Sequence, residues 1–207
     1  MRRALVLAVL VLVSGSACSG TSSRSSSSAS RDVWQKLHRP LHLGTLAAGA
    51  RCPVSPIDRR FRFARYGVGR GIGPGPAYPV SKGKALRIEW PPPAATDFST
   101  GAWGGQRVIW LVSSAYRGPL LVRGRRLDGR DAIRFDGGTV PRGELRIGVD
   151  DRGGWPVGVM SDDGQRYRRS LTRLRSPGCY AYQVDGLDFS YRVVFRAELG
   201  VESEPFK

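Results

Sequence analysis

The 207-residue sequence predicts an all-β protein, a β-sandwich of about eight strands. Apolar and polar residues alternate with period two in several short segments, which is typical of strands with one buried face. Turn-forming Asp-Gly and Gly-Gly pairs separate those segments. The 27 glycines and 14 prolines suit many short strands joined by turns better than long helices. We expect the sandwich to occupy residues 32–207.

Residues 1–17 carry the features of a secretory signal. Two arginines follow Met1, residues 4–13 are an unbroken run of Ala, Leu and Val, and small residues follow up to Ala17. A helix needs about 20 apolar residues to cross a bilayer, and this run is too short. We therefore expect export of the chain rather than a transmembrane anchor.

Cys18 directly follows these small residues. The stretch Gly15-Ser16-Ala17-Cys18 resembles the lipobox of bacterial lipoproteins, although that family usually has an aliphatic residue where Gly15 stands. The resemblance implies that Cys18 carries a lipid anchor at the extracytoplasmic face of the cell membrane. Ordinary cleavage after Ala17 is the alternative. Residues 18–31 are rich in serine and predict a flexible tether without secondary structure.

Cys52 and Cys179 remain, an even number in a chain that we expect to be exported. Oxidising compartments favour disulfides, so we predict a Cys52–Cys179 bond, with two buried thiols as the alternative. Closing so long a loop stabilises a fold by about 4–5 kcal/mol in the chain-entropy description. If Tyr180 and Tyr182 face the core, alternation turns Cys179 away from it. The bond would then pin the preceding segment across an outer face or edge.

The first part of the domain begins with an irregular lead-in, because Pro40 forbids a continuous helix there. Alternating arginine and phenylalanine over residues 60–63 indicate a strand, and residues 67–79 a long glycine- and proline-rich loop. Residues 84–90 predict a further strand. The run Val108–Val112 is apolar on both faces, which predicts a central strand covered on both sides.

The second part contains four turn signals. Asp128-Gly129 predicts a hairpin turn, and further turns are expected at residues 152–154 and 162–164. The last hairpin has the clearest pattern, with a turn at Asp185-Gly186 and a return strand whose apolar residues alternate over 189–199.

This last hairpin loosely resembles the final two strands of immunoglobulin-like domains, where a Cys and a Tyr lie near the start of the penultimate strand. It departs from that pattern because Tyr180 and Tyr182 follow Cys179 rather than precede it. The resemblance implies an immunoglobulin-like or related sandwich.

Four longer motifs, RCPVSP, GIGPGPAYP, YRGPLLVRGRRLDG and SPGCYAYQVDG, together resemble a recurring, uncharacterised exported domain of actinobacteria. The resemblance covers most of residues 51–197. It implies an extracytoplasmic setting but no known activity, so no site residue follows from it.

The formal charge of +16 is almost entirely due to arginine. Guanidinium groups suit phosphate, so we expect salt-sensitive attraction to anionic lipids or cell-wall polymers, with a solvated surface without ligand as the alternative. We do not expect nucleic acid as a partner of an exported chain that lacks a recognition motif. The anion-binding candidates are Arg60, Arg62, Arg65, Arg123, Arg125, Arg126, Arg166, Arg168 and Arg169.

Other chemistry-bearing patterns have simpler explanations. The glycines of residues 67–75 lead into prolines rather than into a helix, which argues against a phosphate loop. His38 and His42 lack a third ligand for zinc. The pairs Asp150-Asp151 and Asp162-Asp163 fit turns, with calcium as the alternative. We therefore expect no metal, no cofactor and no catalytic residue.

The sequence thus predicts a binding or structural module at the cell envelope, and an enzyme is the less favoured interpretation. An envelope hydrolase acting on glycans or peptides is the alternative. Converging acid, base or nucleophile side chains in a pocket would favour the hydrolase, and an open basic face would favour binding. The oligomeric state stays open.

Overall fold

Two facing β-sheets form a sandwich, which confirms the predicted fold class. The computed structural model describes residues 24–60, 69–81, 85–88, 103–138, 140–153 and 165–199. These residues hold one helix, α1 (Arg24–Leu37), and eleven strands. The strands are β1 (Arg70–Gly71), β2 (Ala77–Ser81), β3 (Ala85–Ile88), β4 (Gly104–Val112), β5 (Leu120–Arg126), β6 (Arg134–Phe135), β7 (Leu145–Ile147), β8 (Arg152–Gly153), β9 (Arg166–Leu174), β10 (Gly178–Asp185) and β11 (Ser190–Leu199).

The chain crosses repeatedly between the two sheets. The six-stranded sheet has the order β1-β2-β4-β9-β6 with β8 beside β9, and the five-stranded sheet has the order β3-β11-β10-β5-β7. Neighbours are antiparallel apart from the β3–β11 and β8–β9 pairs, which are parallel. Among the described strands, consecutive ones pair only as β1–β2, β8–β9 and β10–β11. Most pairs therefore join segments that are distant in sequence.

Aromatic side chains fill the main core between the sheets. The indole of Trp110 in β4 meets the ring of Tyr182 in β10 edge-on at 5.0 Å, and Phe195 in β11 stacks on Tyr182 at 4.6 Å. The Tyr182 hydroxyl shares a hydrogen bond of 2.8 Å with the hydroxyl of Thr172 in β9. This bond matters because a buried polar group without a partner costs about 1–3 kcal/mol.

A smaller core lies on the outer face of the five-stranded sheet. The lead-in that follows α1 crosses this face, and its Leu43 packs with Leu127, Cys179 and Val194. The Cys52–Cys179 disulfide holds the lead-in there, with 5.5 Å between the Cα atoms. Both the predicted bond and its predicted position outside the main core are therefore confirmed. Val194, the apolar residue that interrupts the alternation of β11, packs against this outer core.

Helix α1 corrects the expectation that residues 18–31 carry no secondary structure, because it begins at Arg24. Its C-terminal turn is tied to the domain: Leu37 is fully buried, and the Arg146 guanidinium lies over the Trp34 ring at 5.1 Å. Tertiary packing of this kind stabilises a helix whose own sequence is a weak helix former. The helix ends before Pro40, as the proline requires.

Two strand predictions need correction, and a third holds only close to its turn. Residues 67–79 contain β1 and part of β2. Pro79 lies within β2 despite its missing N–H, and its carbonyl accepts a 3.2 Å hydrogen bond from the Ile72 N–H. Residues 152–153 form β8, and the turn lies just before them. The hairpin predicted at Asp128-Gly129 does form, with an antiparallel Arg125–Ala132 bridge beside β5, but the chain then leaves β5 and β6 pairs with β9 in the other sheet.

The other strand predictions agree with the structure. Strand β4 is central, and Val108, Trp110, Leu111 and Val112 within it are fully buried. The β10–β11 hairpin also forms as predicted. Four predictions concern residues outside the described part of the chain: the signal peptide, Cys18, the strand over residues 60–63 (of which only Arg60 is described) and the turn at 162–164. Within the described part of the chain, no helix has the length and apolarity needed to span a membrane.

Candidate anion-binding pocket

A surface pocket of about 430 Å³ lies at the open edge of the sandwich, where β7 ends the five-stranded sheet. Strand β7 contributes Leu145 and Arg146, and β9 of the other sheet contributes Arg168. The connection between β6 and β7 supplies the other lining residues, Asp136, Arg142, Gly143 and Glu144.

Backbone hydrogen bonds fix the connection that lines the pocket. Phe135 and Arg142 exchange N–H to carbonyl bonds of 2.8 and 2.9 Å, which close the loop between them. Asp136 begins this loop in the left-handed region, with φ of 37°. Aspartate tolerates this conformation better than most residues, and the Asp136 carboxylate accepts a 2.8 Å hydrogen bond from the Leu171 N–H. Strain of this kind tends to persist at functional sites.

Arg168 is held loosely at the back of the pocket. Its guanidinium lies 3.5 Å from the Asp136 carboxylate and 3.7 Å from that of Asp151, both beyond good hydrogen-bonding distance. Its Nε–H is buried and finds no acceptor among the described residues. The hydrogen-bonding capacity of Arg168 is therefore only partly used by the protein.

Both carboxylate oxygens of Glu144 already have cationic or polar neighbours. One oxygen accepts a 2.7 Å hydrogen bond from Arg146 Nε, and the other lies 3.5 Å from His38 Nε2. Arg142 is exposed, and its guanidinium has no carboxylate partner among the described residues. The hydrogen-bonding groups that are still available in the pocket are thus mainly N–H donors, and N–H donors suit an anion.

Two of the predicted anion-binding arginines are buried and bonded within the fold. Arg123 donates a 2.8 Å hydrogen bond to the buried carboxylate of Asp185 and another to the Arg39 carbonyl. Arg166 donates to the carbonyls of Gly148 and Gly118, and burial lowers the pKa of its guanidinium. Neither guanidinium is directed at solvent.

The other predicted arginines that the structure describes lie outside this pocket. Arg60 pairs with Asp58, Arg126 bonds Asp128 and Asp131, and Arg125 donates to backbone carbonyls. Arg169 is exposed on the opposite face of β9 from Arg168. Arg62 and Arg65 lie outside the described residues.

Sequence reasoning selected Arg168 but missed Arg142 and Arg146. A signal for them was present, because Arg142, Glu144 and Arg146 are spaced by two residues around the apolar Leu145 and Ile147. That spacing favours all three on the polar side of one extended segment, although only Arg146 lies within β7 itself. Only the fold shows that this polar side faces Arg168.

The Asp58–Tyr78 pair is a cluster with shifted pKa values outside this pocket. Hydrogen bonds from Arg60, chiefly, hold the pKa of the Asp58 carboxyl below its ordinary value against the opposing effect of burial. Burial and the hydrogen bond to Asp58 raise the pKa of Tyr78 to about 12. Tyr78 therefore stays protonated and Asp58 ionised at neutral pH, which suits a structural bond better than proton transfer.

In the part of the chain that the structure describes, no three His, Cys, Asp or Glu side chains come together to form a possible metal site. His38 and His42 are exposed in the lead-in, and Asp151 caps a turn by accepting a 2.8 Å hydrogen bond from the Gly148 N–H.

Comparisons with known proteins give one weak likeness. No protein-family model matches the chain, and no curated protein does. A solved structure described as a "Putative Lipoprotein from Bacillus anthracis" is similar to it, with a TM-score of 0.44 and 10% sequence identity. The likeness covers 72% of this chain and 88% of that chain. At these values it carries no argument about function.

Proposed function

We propose that this chain is an exported, lipid-anchored protein whose β-sandwich binds an anionic component of the cell envelope. The signal-like residues 1–17 and the lipobox-like sequence around Cys18 support export and anchoring at the extracytoplasmic face of the membrane. The Cys52–Cys179 disulfide supports the same location, because such bonds persist mainly in oxidising compartments.

The arginine-lined pocket carries the binding part of the proposal. Arg142, Arg146 and Arg168 line one pocket, and the carboxylates beside them are already engaged by guanidinium, imidazole or backbone N–H groups. An anion entering the pocket gains charge-assisted hydrogen bonds without displacing a strong ion pair from Arg142 or Arg168. The excess of positive charge on the whole chain increases the rate at which anions arrive.

The hydrolase alternative finds less support in this pocket. Hydrolysis of glycans by paired carboxyls needs one group kept protonated as the general acid. Both candidates, Asp136 and Glu144, are already bonded within the fold, to the Leu171 N–H and to the Arg146 guanidinium.

Phase partitioning of the full chain, expressed in a bacterium, tests the anchor. We expect the protein to enter the detergent-rich phase and the Cys18→Ala variant to stay in the aqueous phase. Intact mass of the detergent-phase protein should show a mature chain that begins at an acylated Cys18. An unprocessed Met1, or a Cys18→Ala variant that still partitions into detergent, would contradict the proposal.

Retention on a resin that carries a polyanion, such as polyphosphate, tests binding. We expect the full chain to be retained at low salt and released as NaCl approaches about 1 M, where the Debye length is about 3 Å. The Arg142→Ala/Arg168→Ala variant should elute earlier than the Arg130→Ala/Arg169→Ala control, which loses the same charge at exposed positions outside the pocket. Equal elution of the two variants would exclude the pocket as the binding site.

A further inference from the structure

We propose that the anion bound by this pocket is a phosphate group, and that its binding is coupled to helix α1, which leads to the lipid anchor. The inference rests on the proposed function. It names the class of ligand that the pocket binds, and it links binding at the pocket to the position of α1.

The number of donors in the pocket favours phosphate over carboxylate. A single guanidinium satisfies a carboxylate in a bidentate pair, whereas a phosphate group offers oxygens to more than one guanidinium at once. Arg142 has no carboxylate partner among the described residues, and the contacts of Arg168 with Asp136 and Asp151 are 3.5 and 3.7 Å long. Two guanidinium groups therefore have donors available on the same pocket.

Helix α1 and the residue that follows it touch the rim of the pocket directly. The Arg146 guanidinium lies over the Trp34 ring at 5.1 Å, and His38 lies 3.5 Å from Glu144. Arg146 and Glu144 are in turn joined by a 2.7 Å hydrogen bond. An anion that attracts Arg146 into the pocket changes the surroundings of Trp34, so ligand binding and the docking of α1 are linked.

The position of α1 places the pocket within reach of membrane headgroups. Residue 18 precedes the start of α1 at Arg24 by six positions, and Trp34 lies ten positions further. An extended segment followed by helix of these lengths spans at most about 35 Å. The phosphate can therefore belong to a lipid of the anchoring membrane, to a wall polymer or to a free ion, and the experiment must separate these sources.

Tryptophan fluorescence of the full chain in maltoside micelles, which contain no phosphate, tests the proposal. Inorganic phosphate, phosphatidylglycerol, polyglycerol phosphate or acetate is added in separate titrations, with chloride keeping the ionic strength constant. We expect at least one phosphate-bearing ligand to change the emission while acetate does not, and we expect the Trp34→Phe variant to lose the change. The ligand that acts at the lowest concentration identifies the source.

Variants assign the effect to the pocket. Arg142→Ala, which removes an exposed side chain without a partner among the described residues, should raise the midpoint of the titration by about tenfold. Arg142→Lys should restore it only in part, because an ammonium lacks the bidentate geometry. Arg169→Ala should leave the midpoint unchanged.

Three results would overturn the inference: acetate acting as well as phosphate, an emission change that survives in Trp34→Phe, or a midpoint that ignores Arg142→Ala. Retention on the polyanion resin is a separate measurement. Retention that depends on Arg142 and Arg168, without a phosphate-dependent Trp34 signal, would leave the proposed function standing and reject this inference alone.

Discussion

The buried carboxylate of Asp185 joins the lead-in to the five-stranded sheet, and Asp185→Asn removes its charge with little change in shape. Asp185 is fully buried at the end of β10 and accepts hydrogen bonds from Arg123 at 2.8 Å and Ser190 at 2.6 Å. The Gln183 amide donates to the same carboxylate at 3.1 Å and to the Pro40 carbonyl at 2.9 Å. Arg123 also donates to the Arg39 carbonyl.

The expected cost follows from the burial of both partners. The Arg123 side chain is only 9% exposed and that of Asp185 is not exposed at all. Breaking such a pair by removing one charge costs about 3–5 kcal/mol, because the other charge stays buried without compensation. Domains are typically stable by only about 5–15 kcal/mol, so the variant should lose a large part of its free energy of unfolding.

Urea unfolding followed by circular dichroism measures this loss. Asp188→Asn, the same chemical change at an exposed position of the following turn, serves as the matched control and should shift the free energy by less than about 0.5 kcal/mol. Adding Arg123→Met to Asp185→Asn should recover part of the stability, because no unpaired charge is then buried. A cost of Asp185→Asn below about 1 kcal/mol, or no recovery in the double variant, would refute the reasoning.

Three further predictions concern the cores and one titrating group. The Cys52→Ser/Cys179→Ser variant should lose about 2–5 kcal/mol of stability. Dithiothreitol should lower the urea midpoint of the unchanged protein but not of that variant; a protein indifferent to reductant would contradict the disulfide. Tyr182→Phe should cost about 1–2 kcal/mol because its hydrogen-bond partner in β9 loses that bond, and an unchanged urea midpoint would count against the bond. Asp58 has a pKa below its ordinary 3.8 in the fold, so its contribution to stability is complete above that pH and lost as the pH falls through the lower folded value. Asp58→Asn should therefore flatten thermal stability against pH below about pH 4, and an unaltered slope would refute the shift.

Strands joined by tight turns were predictable because their pairing depends on neighbouring residues alone. The β10–β11 hairpin follows from the Asp185-Gly186 turn and the alternation beyond it. The turn at Asp128-Gly129 carries an equally good signal, and the chain does return beside β5 as far as the Arg125–Ala132 bridge, but β6 then crosses to β9. Local sequence encodes a turn there but not the sheet that the returning strand joins.

Helix α1 and strand β2 were missed for related reasons. The serine-rich residues before Arg31 predict no helix by propensity, and the burial of Leu37 and the contact of Trp34 with Arg146 stabilise it. Pro79 argues against a strand, but its carbonyl still accepts a bond from Ile72. In both cases contacts distant in sequence override the local preference.

The candidate site shows the same division. The abundance of arginine predicted binding of anions, and Arg168 was among the candidate residues chosen from the sequence. Burial of Arg123 and Arg166 against internal acceptors is a property of the fold, and no spacing pattern shows it. Arg142 and Arg146 join Arg168 because β7, the last strand of one sheet, and β9, next to the last strand of the other, contribute to one pocket.

The amino-acid sequence by itself determined the β-sandwich, the Cys52–Cys179 pairing and the outer position of Cys179, because alternation and turn chemistry act between near neighbours and only two cysteines remain in the domain. Tertiary structure decided which arginines are buried with partners and which line the pocket. That choice depends on which strands cross between sheets, and the crossing is set by packing of side chains distant in the chain.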